Sequence, residues 1–313
     1  MALSLRRGRV TAVVERLPEL IRCEVDGAPC VAYPRLTGPV EEGDDVIVNV
    51  QARELGLGSG GFDVLHTNLT RGLELAGEDA AHVMKLPYTS LQHAVLHAEE
   101  SWALADALDG MPVVCCSLHS QVVPVCAGIG EGARVAYVQL PGGALPVSLS
   151  DAVRALKDRG LVETAVAVGA CVDGDVHCVS TASAFAWGRS AGFEIAVCGI
   201  GPGVVGTATG LGHGGLAAAE AANVAAALGG RPILAVRKSE ADERGRHRGI
   251  SHHALAVLSL CLGEVAVSEE ATDGWRDACE GLPLSHMGRG PDDDPVFFES
   301  AFAAGRTART MLA

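Results

Sequence analysis

Between Arg237 and His253 the chain reads RKSEADERGRHRGISHH, a run in which most side chains can carry charge, grip an anion or move a proton. Arg244, Arg246 and Arg248 alternate with other residues, and guanidinium forks match the oxygens of phosphate and carboxylate groups. Ser251 stands where a cap is wanted, just before the next apolar stretch. Asp242 with His252 or His253 has a second use, since a carboxylate and an imidazole can act as acid and base or hold a metal ion. A solvated loop laced with salt bridges, or a subunit contact, has the same composition. Position favours function: the run follows an apolar strand, and ligands of parallel sheets bind at that edge.

A second feature lies upstream. Residues 199–215 contain eight glycines, among them Gly201, Gly203 and Gly206, with Thr207, Thr209 and His213 between the later ones. The loop follows an apolar strand and precedes an Ala-rich helix. Glycine tolerates the positive φ angles of a concave loop, and a helix N-terminus favours an anion. The three glycines satisfy G-x-G-x-x-G, but further glycines delay the helix to about residue 215, and the next strand ends in Arg237-Lys238 rather than an acid. That departs from a dinucleotide fingerprint, and no Gly-Lys-Ser/Thr follows to make a phosphate loop of the Walker kind. The alternative is a loop whose glycines only allow tight packing of strand against helix.

Weaker punctuation marks the other strand ends. His119 lies in Ser117-Leu118-His119-Ser120, Gly142-Gly143 follows the second strand, and Asp173-Gly174-Asp175 with His177 follows the third. Together they predict a pocket ringed by loops, with His119, Asp242, His252 and His253 as candidate catalytic residues. The candidate ligand-binding residues are Gly201, Gly203, Gly206, Thr207, Thr209, His213, Arg244, Arg246, Arg248 and Ser251. The chain has neither a serine elbow nor H-E-x-x-H, so the reaction type, the cofactor and any metal stay open.

Elements must carry these residues. Residues 8–70 read as five short strands, at Gly8–Val14, Ile21–Val25, Cys30–Tyr33, Val46–Val50 and Phe62–Leu65, with Asp26-Gly27 as a hairpin turn. From about residue 85 the pattern changes. A helix is predicted over Thr89–Leu108, then strands at Pro112–Cys116, Arg134–Val138, Thr164–Val168, Phe193–Cys198 and Pro232–Val236. Between them lie helices over Ser150–Arg159, Thr181–Ser190 and Gly215–Leu228, with another over His252–Leu262 and a short one ending the chain. The expected fold is α/β: a parallel Rossmann-like sheet with helices on both faces, preceded by a small all-β barrel or sandwich. The expected domains are residues 1–80 and residues 81–313, the latter with a C-terminal tail.

Composition narrows the partners. The 313 residues carry 24 basic and 38 acidic groups, a net charge of −14. The barrel region, residues 1–71, has eight Arg and ten acids, with Tyr33 and Phe62 as its aromatics. Charge and stacking groups both argue against nucleic acid. No apolar run follows Arg6-Arg7 and none reaches ~18 residues, so neither a signal peptide nor a membrane partner is expected and a cytoplasmic location is. The ten cysteines form no C-x-x-C pair; they read as small buried hydrophobes in a reducing compartment rather than as disulfides or a structural zinc site.

Several segments together resemble a bacterial family catalogued only as a domain of unknown function. They are Gly58-Ser59-Gly60-Gly61-Phe62, Met84 to Gln92, Gly142-Gly143-Ala144-Leu145-Pro146, Gly199 to Gly206 with Thr207 and Thr209, and Asp242 to His253. The resemblance spans nearly the whole chain. It implies a shared architecture and no activity. The chain departs at Cys171-Val172-Asp173, where a small glycine-rich turn is expected.

Two readings follow. In the first, the protein is a binder of a small anionic metabolite, phosphorylated or nucleotide-like, at the C-terminal edge of the sheet, or an enzyme acting on it there. In the second it is a non-catalytic regulatory or scaffold protein acting as a dimer, its Ala-rich helix at the interface and its glycine loop merely packing. A homo-oligomer is expected in either case.

Overall fold

The computed structural model describes residues 3–56, 60–268 and 273–312. Gly58 and Ser59, from the first family-like segment, lie outside the described residues. The chain forms two compact units, Met1–Val95 and Leu96–Ala313.

The first unit is a closed five-stranded barrel. Its strands are β1 (Leu5–Leu17), β2 (Leu20–Val25), β3 (Ala28–Ala32), β4 (Asp45–Asn49) and β5 (Asp63–Asn68), in the order β1-β2-β3-β5-β4. Asp26 and Gly27 both take positive φ, 49° and 76°, the backbone that a two-residue hairpin between twisted strands requires. Alternate residues of the strands, among them Val10, Cys23, Val25, Val46, Val48 and Leu65, fill the interior. A short antiparallel pair, β6 (Val83–Lys85) and β7 (His93–Val95), completes the unit.

The helix expected over Thr89–Leu108 is not formed. Residues 93–95 pair as β7, and only Ala98–Ser101 is helical. Its apolar residues do not share a buried face: Leu108 is buried while Leu96 is exposed. Tyr88 adopts a φ of 59°, and the turn is closed by the Thr89 hydroxyl donating to the Leu86 carbonyl at 2.8 Å.

The second unit is built on a seven-stranded parallel sheet. Its strands are β8 (Pro112–Cys116), β9 (Val135–Leu140), β10 (Thr164–Val168), β11 (Val176–Cys178), β12 (Ile195–Ile200), β13 (Arg231–Ala235) and β16 (Ala266–Val267). A two-stranded piece, β14 (Lys238–Ser239) with β15 (Gly249–Ile250), stands apart from it. The order in the large sheet is β11-β10-β9-β12-β8-β13-β16. Period-2 side-chain alternation gives the sheet two apolar faces. Val113 and Cys115 pack with the helices Thr181–Ser190, Ala217–Ala227 and His252–Leu260. Val114 and Cys116 pack with Val122–Ile129, Asp151–Asp158 and Pro295–Thr310. The small barrel followed by a parallel α/β unit is thus the observed architecture.

The last helix is longer than the short one expected, sixteen residues, and it lies very close to Val122–Ile129. A Cβ on Gly128 would overlap the Phe302 carbonyl oxygen, and one on Gly305 would overlap that of Val125. At Asp173, where the chain departs from its expected glycine-rich turn, the backbone takes a φ of 60°. Asp tolerates that region, and its carboxylate accepts from the Ser148 hydroxyl at 2.9 Å.

The strand order prepares the site. The helices after β8 and β9 pack on one face, while the helices after β12 and β13 pack on the other. Because β12 lies between β8 and β9, the loops leaving these neighbours diverge, and such a divergence opens a crevice at the C-terminal ends of the strands.

Candidate functional site

Two buried side chains tie the loops around this crevice. Gln121, fully buried, donates from Nε2 to the Ala235 carbonyl at 2.7 Å and accepts the Leu118 N–H at 3.0 Å, joining the ends of β8 and β13. His119 donates from Nδ1 to the Ile200 carbonyl at 3.2 Å, while its Nε2 lies 2.7 Å from the Ser150 hydroxyl. Burial pushes its pKa down to about 4, so the ring is neutral and Nε2 accepts. His119 thereby joins the loops after β8, β9 and β12, and it is not among the residues lining the cleft described below.

Several glycines of the long loop serve packing. A Cβ on Gly201 would overlap the Ala144 carbonyl oxygen, and one on Gly143 would overlap that of Gly201. The Ala144 N–H donates to Pro202 at 2.8 Å and the Val205 N–H to Gly142 at 3.0 Å. Beyond Gly203, whose φ is 72°, the loop folds back on itself. Gly206 pairs with His213, and the Thr207 N–H donates to Gly212 at 2.6 Å. The hydroxyls of Thr207 and Thr209 are 2.9 Å apart. This hairpin presents Gly206, Thr207, Ala208 and His213 to a cleft.

The opposite wall comes from the segment after β13. Asp242 is its hub. It is buried and accepts from Arg244 Nε and Nη2, both at 2.9 Å, from the Arg244 N–H at 3.1 Å and from Arg237 at 3.2 Å, with Arg289 at 3.5 Å. Burial alone would raise its pKa, but the Arg244 hydrogen bonds and the charges of Arg244 and Arg237 hold it well below the carboxylate range. Asp242 is therefore a fixed negative charge that organises arginines. Arg237 is only 3% exposed; burial lowers its pKa to about 10, with Asp242 opposing, and it stays charged.

The chain then makes a 3-10 turn at Gly245–His247, pairs β15 with β14, and enters the helix His252–Leu260. Ser251 caps that helix by accepting the His253 N–H at 3.2 Å, and its hydroxyl shares a 2.7 Å hydrogen bond with His247 Nδ1. This local fold converts a sequence separation into contact. The His247 ring centre is 4.8 Å from those of His252 and His253, which are 4.3 Å apart, and His213 stacks on His253 at 3.6 Å. All four imidazoles are neutral near pH 7. Burial and then Arg237 and Arg244 lower His247 to about 4. Burial and then His213 and His252 lower His253 to about 3. Burial is the first cause for His213 and His252 as well, and both shift down.

The walls enclose a cleft of about 370 Å³, which Leu118, Val204 and Met287 also line. Of the residues expected from sequence, it brings together Gly206, Thr207, His213, Arg244, Arg246 and His253, with His252 against His253. Gly201, Gly203, Thr209, Arg248, Ser251, His119 and Asp242 are not part of its lining. His247 and Arg237, members of the charged run that are not among the candidate site residues above, also line the cleft. Their signals were the serine four residues after His247 and the placement of Arg237 just past a strand. Nothing in the sequence pointed to Met287.

The model of the family described as "Protein of unknown function (DUF3866)" matches residues 29–274. The chain belongs to this family. The DUF3866 match takes in the glycine hairpin and the whole Asp242–His253 segment, and it ends before the loop that supplies Met287 and Arg289. Among curated proteins no match is found.

Proposed function

We propose that this DUF3866 protein binds a small anionic metabolite, phosphorylated or nucleotide-like, in the cleft between the glycine hairpin and the Asp242–His253 segment. The observation that carries the reading is a surplus of positive charge in a concave site. Arg237, Arg244 and Arg289 converge on the single carboxylate of Asp242, Arg289 also approaching Asp294 at 3.5 Å, while Arg246 adds a further guanidinium to the cleft wall. Arg237 Nε is buried with no hydrogen-bond partner among the described residues. A buried, incompletely partnered cation is costly alone and favourable beside an anion. The volume suits a small metabolite. Neutral His252 and His253 beside that anion can accept a proton or an electron-poor partner, which is where any chemistry would reside.

The test is a thermal-shift screen of phosphorylated metabolites, each paired with its dephosphorylated counterpart, followed by calorimetry on the responders. Phosphate-bearing compounds should raise the melting temperature and their counterparts should not. Arg246→Ala, at an exposed side chain, should weaken binding by about tenfold or more, as for loss of a charge-assisted contact, with the melting temperature of the free protein unchanged. A screen without responders, or responders bound equally by Arg246→Ala with His252→Ala, overturns the reading.

A further inference from the structure

Buried polar atoms without partners are uncommon in folded proteins, and each calls for a cause. Here several of them meet in one group of imidazoles. His252 Nε2 and both ring nitrogens of His253 are buried with no partner among the described residues, and His253 is only 8% exposed. His247 has its Nδ1 held by Ser251, which leaves Nε2 as its coordinating atom. One nitrogen from each of His247, His252 and His253 lies within 4.8 Å of the others.

We propose that His247, His252 and His253 form a binding site for a divalent transition ion of the zinc class. Nitrogens bound at 2.0–2.1 Å to one tetrahedral ion are roughly 3.4 Å apart, so nitrogens within 4.8 Å of one another need to close by at most roughly 1.4 Å per pair, a shift that side-chain rotation can supply. Three imidazoles without a thiolate suit zinc, cobalt, nickel or copper rather than magnesium or calcium, which prefer oxygen. The Ser251–His247 hydrogen bond is the outer support that fixes a ligand's ring and tautomer. The same serine caps the helix that carries His252 and His253, so the three ligands are held by one local fold. The ion's remaining positions face the cleft, which His247 and His253 line. The neighbouring charges are Arg237, Arg244 and Arg246, with Asp242 as the counter-charge. That balance disfavours a lone cation and favours one that shares the cleft with an anion, so metal and anion should strengthen each other's binding.

The experiment uses the untagged full-length chain, stripped with a chelator and titrated with Co²⁺ by visible absorption and with Zn²⁺ by calorimetry, in chloride and again with added sulfate. The wild type should bind one ion per chain, with the ligand-field bands of imidazole-bound cobalt, and more tightly when sulfate is present. His252→Ala, at a half-buried side chain, and His253→Asn should each lower the affinity at least tenfold, and His82→Ala in the barrel unit should not. Melting curves confirm that the variants are folded. No ion bound in either buffer, or equal affinity in His252→Ala and His253→Asn, overturns the site. Binding of phosphorylated ligands to the chelated protein is measured separately, so loss of the metal site and loss of the anion reading are distinguishable.

Discussion

His253 shows how one residue can be correct in position and unexpected in state. Its place in the charged run invites a picture of a cationic anion ligand, yet burial and three neighbouring histidines keep it neutral. That state has a consequence for stability. The pKa values of His247 and His253 fall from the ordinary 6.5 to about 4 and about 3 in the folded chain. The unfolded chain therefore binds more protons between those limits, and stability is lost as pH falls from about 6.5 toward 3. Melting temperature should drop over that window. His253→Asn should flatten the drop relative to wild type, and an unchanged pH profile would count against the buried, neutral state. Asp242 makes the opposite point. Its type suggested acid–base work, but a carboxylate shared by Arg237, Arg244 and Arg289 stays ionised and acts as their anchor. The sequence names these residues and their neighbourhood; protonation depends on who faces whom, which spacing alone does not encode.

At the scale of elements, the strands and most helices were legible because their apolar patterns are continuous and their caps are local. Ser150 caps Asp151–Asp158 by accepting the Val153 N–H at 2.9 Å, a contact between residues three apart in the chain. The Thr89–Leu108 helix does not form although Leu91, Val95, Leu96, Leu104 and Leu108 stand at roughly helical spacing, because the β6–β7 pairing claims His93–Val95. The meeting of His247 with His252 and His253 was illegible for a related reason. It depends on a 3-10 turn and the β14–β15 pairing, both only a few residues long, and such short elements leave no periodicity to read. The packing of Val122–Ile129 against Pro295–Thr310 gives a sharper test. Gly305→Ala would normally gain about 1 kcal/mol of helix propensity. Here the new methyl meets the Val125 carbonyl, and overpacking of this kind costs about 1–3 kcal/mol. Urea denaturation should show the variant less stable than wild type; a more stable variant would mean that the helices can separate freely.

For the whole molecule, the division into Met1–Val95 and Leu96–Ala313 assigns the cleft to one unit, since every residue lining it belongs to the second. A fragment of residues 96–313 should therefore fold and bind the phosphorylated ligands and Co²⁺ with the affinities of the full chain, as measured by the same titrations. A folded fragment that binds neither would show that the barrel unit is needed. No described helix is long and apolar enough to cross a membrane.

The place of β12 in the sheet also bears on how the chain is made. β8 and β9 are consecutive in sequence but never neighbours; the slot between them belongs to β12, which begins at Ile195, long after β9 ends at Leu140. During synthesis, the centre of the sheet must wait for that strand while two apolar edges stand open. Non-local pairing of this kind slows folding, and open edges invite association with other chains. A ribosome that pauses before residue 195 holds a chain in which β8 and β9 both lack the strand that they share.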